Sequence, residues 1–127
     1  MDSEKITINL GVVDLGKVDL LVEEGFYSNR TDFIRTAIRN QLDKHEGEMT
    51  ATITRKSITV GAVHYSRKEL DEHRANHQKL AISVVGVLAI SDDVTPELAR
   101  DTIESVKVRG VFRASGTVKD ALSDRSH

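Results

Sequence analysis

The sequence predicts an α+β protein in two parts, and three patterns support this fold class. One short amphipathic strand and two amphipathic helices occupy residues 1–46. Residues 50–122 then read as a small α/β domain of about three strand-helix repeats. The copies recur at an offset of 24 or 25 residues, a period that favours neighbouring parallel strands joined by helices. We therefore expect two domains, residues 1–46 and residues 50–122.

The first predicted strand alternates strictly between polar and apolar residues. It covers Lys5–Leu10 and ends at Gly11, with Lys5, Thr7 and Asn9 on its polar face. A single amphipathic strand has no other strand to pair with in its own segment. Pairing with a second copy of the chain is the simplest solution, so the sequence predicts a homodimer.

Two short helices follow the strand. Asp14 is the predicted cap of the first helix, and Gly25 closes it. Ser28 is the predicted N-cap of the second helix, which stops near Lys44–His45. Glu46–Glu48 resembles a linker in composition. The apolar stripe of the second helix consists of Phe33, Ile34, Ala37, Ile38 and Leu42.

The repeat is clearest in residues 82–91, which align with residues 106–115. Each copy has an apolar strand with one internal glycine, then a serine at a helix start, and the three glycines are Gly61, Gly86 and Gly110. Such glycines mark a close backbone approach or a bulge. The alternative is that any alternating strand-helix segment looks self-similar. The expected helices are Ser66–Gln78, Thr95–Glu104 and Gly116–Leu122.

The composition excludes several classes of protein. The 127 residues include no cysteine, which excludes disulfides, thiolate metal sites and a cysteine nucleophile, and fits a reducing cytoplasm. No apolar run approaches membrane-spanning length, so we expect an untargeted cytoplasmic protein with no membrane partner. The net charge of −2 does not by itself indicate a polyanionic partner.

The first third of the chain resembles a known family. The segments "KITINL", "VDLLVEEG" and "YSNRTDFIRTAIRNQL" are similar to the ribbon-helix-helix, or CopG-like, family of transcriptional regulators and antitoxins. The resemblance covers Lys5–Leu42, and the junction "GFYSNRTDFIR" is its most specific part. The family often has a proline or serine turn after the strand, where this chain has Leu10–Val13. The resemblance implies an intertwined homodimer whose two strands pair antiparallel and enter the major groove of double-stranded DNA.

The predicted base-reading residues are those of the polar strand face. The major groove admits a two-stranded ribbon. Asn9 can bond adenine with two hydrogen bonds, Lys5 can reach guanine acceptors, and Thr7 can donate or contact a thymine methyl. The alternative is an ordinary solvated strand face. Because residues 1–46 carry six Lys/Arg against nine Asp/Glu, a net of −3, any DNA-binding face must be local.

A phosphate site is predicted at the start of the second helix. Free backbone donors and the helix dipole favour an anion there, and Ser28, Asn29 and Arg30 occupy that position. Contacts of this kind set the position on the duplex and do not read sequence.

Three histidines are the candidates for a metal site. His73 and His77 are four residues apart on a predicted helix, and His64 lies upstream. Nickel-responsive members of the resembled family bind metal in a C-terminal domain. Because cysteine and a clear acidic partner are missing, we interpret the histidines as bordering the core or an interface, and assign no metal and no cofactor.

The sequence therefore predicts a repressor of transcription that is not an enzyme, since it contains no nucleophile-base constellation and no glycine-rich phosphate loop. Residues 50–122 would join dimers into a dimer of dimers or sense a signal. One alternative is an antitoxin whose C-terminal half binds a toxin protein. Another is a structural module in which the N-terminal strand only dimerises.

Overall fold

The computed structural model describes residues 3–127, which form two compact units, Ser3–Thr52 and Ile53–His127. The described chain is mixed helix and strand, with six helices and three parallel strands. This agrees with the predicted α+β class. No helix in the described range has both the length and the apolar content to cross a membrane.

The N-terminal unit begins with a segment that is neither helix nor strand and continues with helices α1 (Val12–Glu23) and α2 (Arg30–Lys44). The expected caps are wrong by one or more residues. Gly11 is the N-cap of α1, so Asp14 lies in the first turn, where a carboxylate stabilises the helix dipole. Asn29, not Ser28, caps α2, because its side chain accepts a hydrogen bond from the Asp32 backbone N–H.

The turn after α1 ends the helix at the predicted glycine. Gly25 has a φ of +84°, a conformation that side-chain-bearing residues rarely adopt. Its N–H donates to the Val22 carbonyl at 3.0 Å, and the Phe26 N–H donates to the Leu21 carbonyl at 2.9 Å. These two bonds are those of a Schellman motif, which satisfies the last carbonyls of the helix.

The expected linker is helical. Glu46–Glu48 forms the first turn of α3 (Glu46–Arg55), which begins directly after α2. Two glutamates in a first turn stabilise a helix start, and Gly47 alone does not prevent it.

The second unit confirms the predicted alternation of strands and helices. Its elements are β1 (Thr59–Tyr65), α4 (Arg67–Ala75), β2 (Leu80–Ile90), α5 (Pro96–Thr102), β3 (Ile103–Arg113) and α6 (Gly116–Ala121). The sheet order is β1-β2-β3, and both pairs are parallel.

Hydroxyl side chains cap all three helices of this unit. Ser66 forms a capping box with Glu69, while Thr95 and Ser115 accept bonds from the backbone three residues on. In the middle copy the predicted start is confirmed, since Thr95 is the N-cap and Pro96 is the first residue of the helix. This helix is shorter than expected, because β3 begins immediately after it.

The three glycines of the repeat lie side by side. Gly61 pairs with Gly86, and Gly86 pairs with Gly110. All three have positive φ, and a Cβ on Gly86 or on Gly110 would lie 2.1 Å from the carbonyl oxygen of the preceding glycine. The predicted close backbone approach is confirmed.

One face of the sheet holds the core of the second unit. Alternate residues of β2 are buried together with apolar residues of α4, α5 and α6, so these helices pack on one face. The most deeply buried side chains include Leu70, Leu88, Leu98, Ile103, Val106, Val118 and Leu122.

Candidate nucleic-acid interface

The segment before α1 presents two different faces. Lys5, Thr7 and Asn9 are exposed. On the alternate positions, Ile8 and Leu10 line an apolar groove with α1 and α2. No backbone-to-backbone hydrogen bond involves residues 3–10 within the described chain. The predicted strand Lys5–Leu10 is therefore not formed within a single copy, where this segment has no backbone partner among the described residues.

The groove beside this segment has a volume of about 430 Å³. Most of its lining is apolar, with Val18 and Leu21 from α1 and Phe33, Ile34, Ala37 and Ile38 from α2. Ile8 is 53% exposed and Ile38 is 45% exposed, and α2 has no buried residue. A contiguous apolar surface of this kind is typical of an interaction site. Within Ser3–Thr52, Val18 is the one buried residue.

The start of α2 is already capped by its own side chains. Asn29 Oδ1 accepts from the Asp32 N–H at 2.8 Å, and Asp32 Oδ2 accepts from the Ser28 N–H at 3.0 Å. The backbone N–H groups of Arg30 and Thr31 have no hydrogen-bond acceptor in the described chain. These two donors remain available to an anion, whereas the Ser28 N–H is shared with a carboxylate.

The guanidinium of Arg30 is held by α1. Arg30 Nε and Nη2 donate to the two carboxylate oxygens of Asp19 at 2.7 and 2.8 Å. These hydrogen bonds lower the pKa of Asp19, and they raise that of Arg30. Both side chains are about half exposed, and exposed ion pairs contribute little stability, so the guanidinium can exchange this partner for another anion. Asp19 was not predicted as the partner of Arg30, because no local sequence pattern relates two residues that are 11 positions apart.

The three histidines do not come together as a metal site. His64 lies on β1 with Nε2 3.2 Å from Ser91 Oγ, and His73 lies on α4. The helix ends at Ala75, so His77 falls outside it with a φ of +54°, and the expected helical pairing with His73 is wrong. Within residues 3–127 no group of three or more His, Cys, Asp or Glu side chains could hold a metal ion.

An amphipathic segment, two helices and an open apolar groove beside them make up the N-terminal unit. The family comparison identifies it further. Residues 1–119 match the model of the Ribbon-Helix-Helix transcriptional regulator family, and the chain belongs to that family. The match extends far beyond the Lys5–Leu42 resemblance seen in the sequence. Regulators of this family bind DNA, form dimers and are generally not enzymes. No curated protein and no solved structure matches the chain.

Proposed function

We propose that the chain is a sequence-specific, DNA-binding repressor that acts in the cytoplasm as a homodimer, without catalysing a reaction. In the proposed dimer, the Lys5–Leu10 segments of two copies pair antiparallel and enter the major groove as a ribbon. One observation carries this proposal. The segment has no backbone partner in its own chain, and its apolar side faces an open groove. A second copy would pair with the backbone of the segment and would also cover the apolar groove.

The proposed base-reading residues are Lys5, Thr7 and Asn9. All three are exposed, and none is hydrogen-bonded by its side chain within the described chain. Their donors and acceptors are therefore available to base edges. A good two-bond contact between a side chain and a base discriminates by about 1–3 kcal/mol against the wrong base.

The proposed phosphate site is the start of α2, formed by Ser28, Asn29 and Arg30. A phosphate there would accept from the unpaired N–H groups of Arg30 and Thr31. The Arg30 guanidinium would then turn from Asp19 to the phosphate. Because the residues described in the N-terminal unit carry more acidic than basic side chains, we expect a shallower salt dependence than for a strongly basic domain.

The test is a gel shift with the promoter of the protein's own gene. Asn9→Ala should weaken specific binding by roughly 5-fold to 150-fold per contact and leave binding to unrelated DNA unchanged. Asn40→Ala, an exposed asparagine on α2, is the matched control and should bind like the unchanged protein. Absence of a sequence-selective shift from folded dimer at moderate salt would refute the proposal.

Arg30→Ala tests the phosphate site separately. It should weaken binding to all sequences alike and make the dependence of affinity on salt less steep, because phosphate contacts carry no sequence information. A change in sequence preference instead would contradict the assigned role.

We propose that residues 50–122 join two dimers into a dimer of dimers. The second unit has its own buried core and a sheet open at the β1 edge. Light scattering on the full chain should give the mass of four copies at micromolar concentration. A mass of two copies at all concentrations would refute this part.

The antitoxin alternative is less well supported. In an antitoxin, we would expect the C-terminal half to be a segment that folds on its toxin. Here that half has a three-stranded sheet and a buried apolar core of its own. Co-purification of the chain with the product of an adjacent small gene would favour the alternative.

A further inference from the structure

The two edge strands of the sheet in the second unit, β1 and β3, differ in how well they are protected against pairing with another strand. The end of the chain lies along β3, where Ser126 forms a parallel bridge with Val106. The Val106 N–H donates to the Arg125 carbonyl at 3.0 Å, and the His127 N–H donates to the Val106 carbonyl at 3.1 Å. Cationic side chains follow along the same strand, namely Lys107, Arg109 and Arg113. Covering and positive charge both prevent further strand pairing at an edge.

The edge of β1 has neither kind of protection. Within the described chain, no backbone-to-backbone hydrogen bond reaches its outer side. Thr59–Tyr65 contains no lysine, arginine, aspartate, glutamate or proline, and Val60 is 60% exposed. A seven-residue edge strand with no lysine, no carboxylate and no proline is a template for another strand.

Gly61 adds a second, independent observation. At Gly86 and at Gly110, the space of the missing Cβ is filled by the carbonyl of the neighbouring strand. Gly61 has the same kind of backbone conformation, with φ at +123°, but nothing lies within 4 Å of its Cβ position. Inside the sheet, the space beside each such glycine holds the backbone of the adjacent strand. Beside Gly61, at the outer edge of β1, no described residue fills this space.

We propose that β1 pairs edge to edge with β1 of a second copy of this chain, antiparallel about a two-fold axis. The charges of the edge strands favour β1 of a second copy as the partner. Two uncharged β1 strands approach without repulsion, whereas pairing of β3 with β3 would bring its cationic side chains against their own copies. A strand paired with itself about a two-fold axis is self-complementary in its hydrogen bonds. The inference rests on the proposed dimer of dimers and names the surface that joins the copies.

The cysteine-free sequence allows a direct test by crosslinking. Single cysteines at Val60, Ala62 and His64 in the full chain are oxidised alone and in pairwise mixtures, which covers the possible registers. Opposed residues of antiparallel strands have Cα atoms about 4.5–5.5 Å apart, within the range of a disulfide. We expect disulfide-linked dimers on a non-reducing gel. Lys107→Cys on β3 and Thr117→Cys on α6 are the controls and should stay monomeric on that gel.

A charge on the edge should abolish this pairing. Val60→Lys in the Ala62→Cys chain should remove most of the crosslinked product, because a charged lysine on each β1 edge opposes the pairing of one strand with another. Thr117→Lys is the matched control and should leave the product unchanged. Circular dichroism verifies that each variant is folded, which is expected because both positions are exposed.

Cysteines at Thr7 and Ile8 separate this inference from the ribbon itself. If they crosslink while all three β1 positions fail, the β1 interface is refuted and the proposed ribbon stands. If the β1 positions crosslink while Thr7 and Ile8 fail, the β1 interface stands and the ribbon is refuted. Crosslinks at Lys107 as strong as those at Ala62 would also refute the β1 interface, since they would indicate unspecific collision.

Discussion

Replacement of Gly86 by alanine should strongly destabilise the second unit. The new Cβ would lie 2.1 Å from the Gly61 carbonyl oxygen and 2.9 Å from its carbonyl carbon. These are backbone atoms of a paired strand, so β1 must move away from β2. The φ of +133° adds strain, since residues with a side chain rarely adopt it.

The expected loss can be estimated from these two effects. Backbone strain at such a φ costs about 1–3 kcal/mol. Each ladder hydrogen bond that is broken and left without a partner costs about 1–3 kcal/mol. With one or two bonds lost, we expect Gly86→Ala to lower the free energy of unfolding by roughly 2–9 kcal/mol, a large part of the usual 5–15 kcal/mol.

Urea unfolding followed by tyrosine fluorescence measures this loss. The chain has two tyrosines and no tryptophan, so Tyr27→Phe leaves Tyr65 on β1 as the reporter of the second unit. Gly116→Ala is the control, because its Cβ would contact nothing within 4 Å. If the free energies of unfolding of Gly86→Ala and Gly116→Ala differ by less than about 0.5 kcal/mol, the tight glycine contact is not present and the reasoning is refuted.

Three further predictions concern local features. Gly25→Ala should lower the stability of the N-terminal unit by about 1–3 kcal/mol, because φ is +84°, and an unchanged thermal midpoint would contradict the Schellman turn. Ser66→Ala removes the acceptor of the Glu69 N–H, so it should lower the free energy of unfolding of the second unit in urea by about 1 kcal/mol. An unchanged free energy of unfolding would contradict a stabilising role of this cap. Arg30 lowers the pKa of Asp19, so the stability from this pair is complete above the ordinary carboxyl pKa and is lost as the pH falls through the lowered one. Asp19→Asn should therefore make melting of the N-terminal unit less sensitive to acid, and equal sensitivity in both proteins would exclude the pair.

The repeated part of the fold could be predicted because its signal is periodic. A glycine recurring at the same place in three copies required equivalent backbone positions, and the parallel register brings Gly61, Gly86 and Gly110 together. The start of the middle helix could be predicted as well, because Thr95 is a favourable cap and Pro96 is favourable at a first helical position. Its end was predicted two residues too late, since β3 begins at Ile103.

The errors in the N-terminal unit have local physical causes. Ser28 and Asn29 are both good caps, and composition could not decide between them. The structure selects Asn29, because Asp32 then bonds the Ser28 N–H in return. The Glu46–Glu48 segment looked like a linker for its charge and its glycine, yet acidic residues are favourable in a first helical turn.

The candidate site could be predicted only in part. Alternation predicts that Lys5, Thr7 and Asn9 share one face of their segment, and in the structure all three are exposed. The pairing of Arg30 with Asp19 depends on how α1 lies against α2, and no local pattern contains that information.

The central claim is that two Lys5–Leu10 segments pair with each other. Isotope-filtered NMR on a dimer mixed from labelled and unlabelled chains tests it most directly, because opposed strands bring Cα atoms to about 4.5–5.5 Å. We predict contacts between the backbone α-protons of residues 6–9 of one copy and those of the other. A stable dimer in which these protons contact only their own chain would contradict the account.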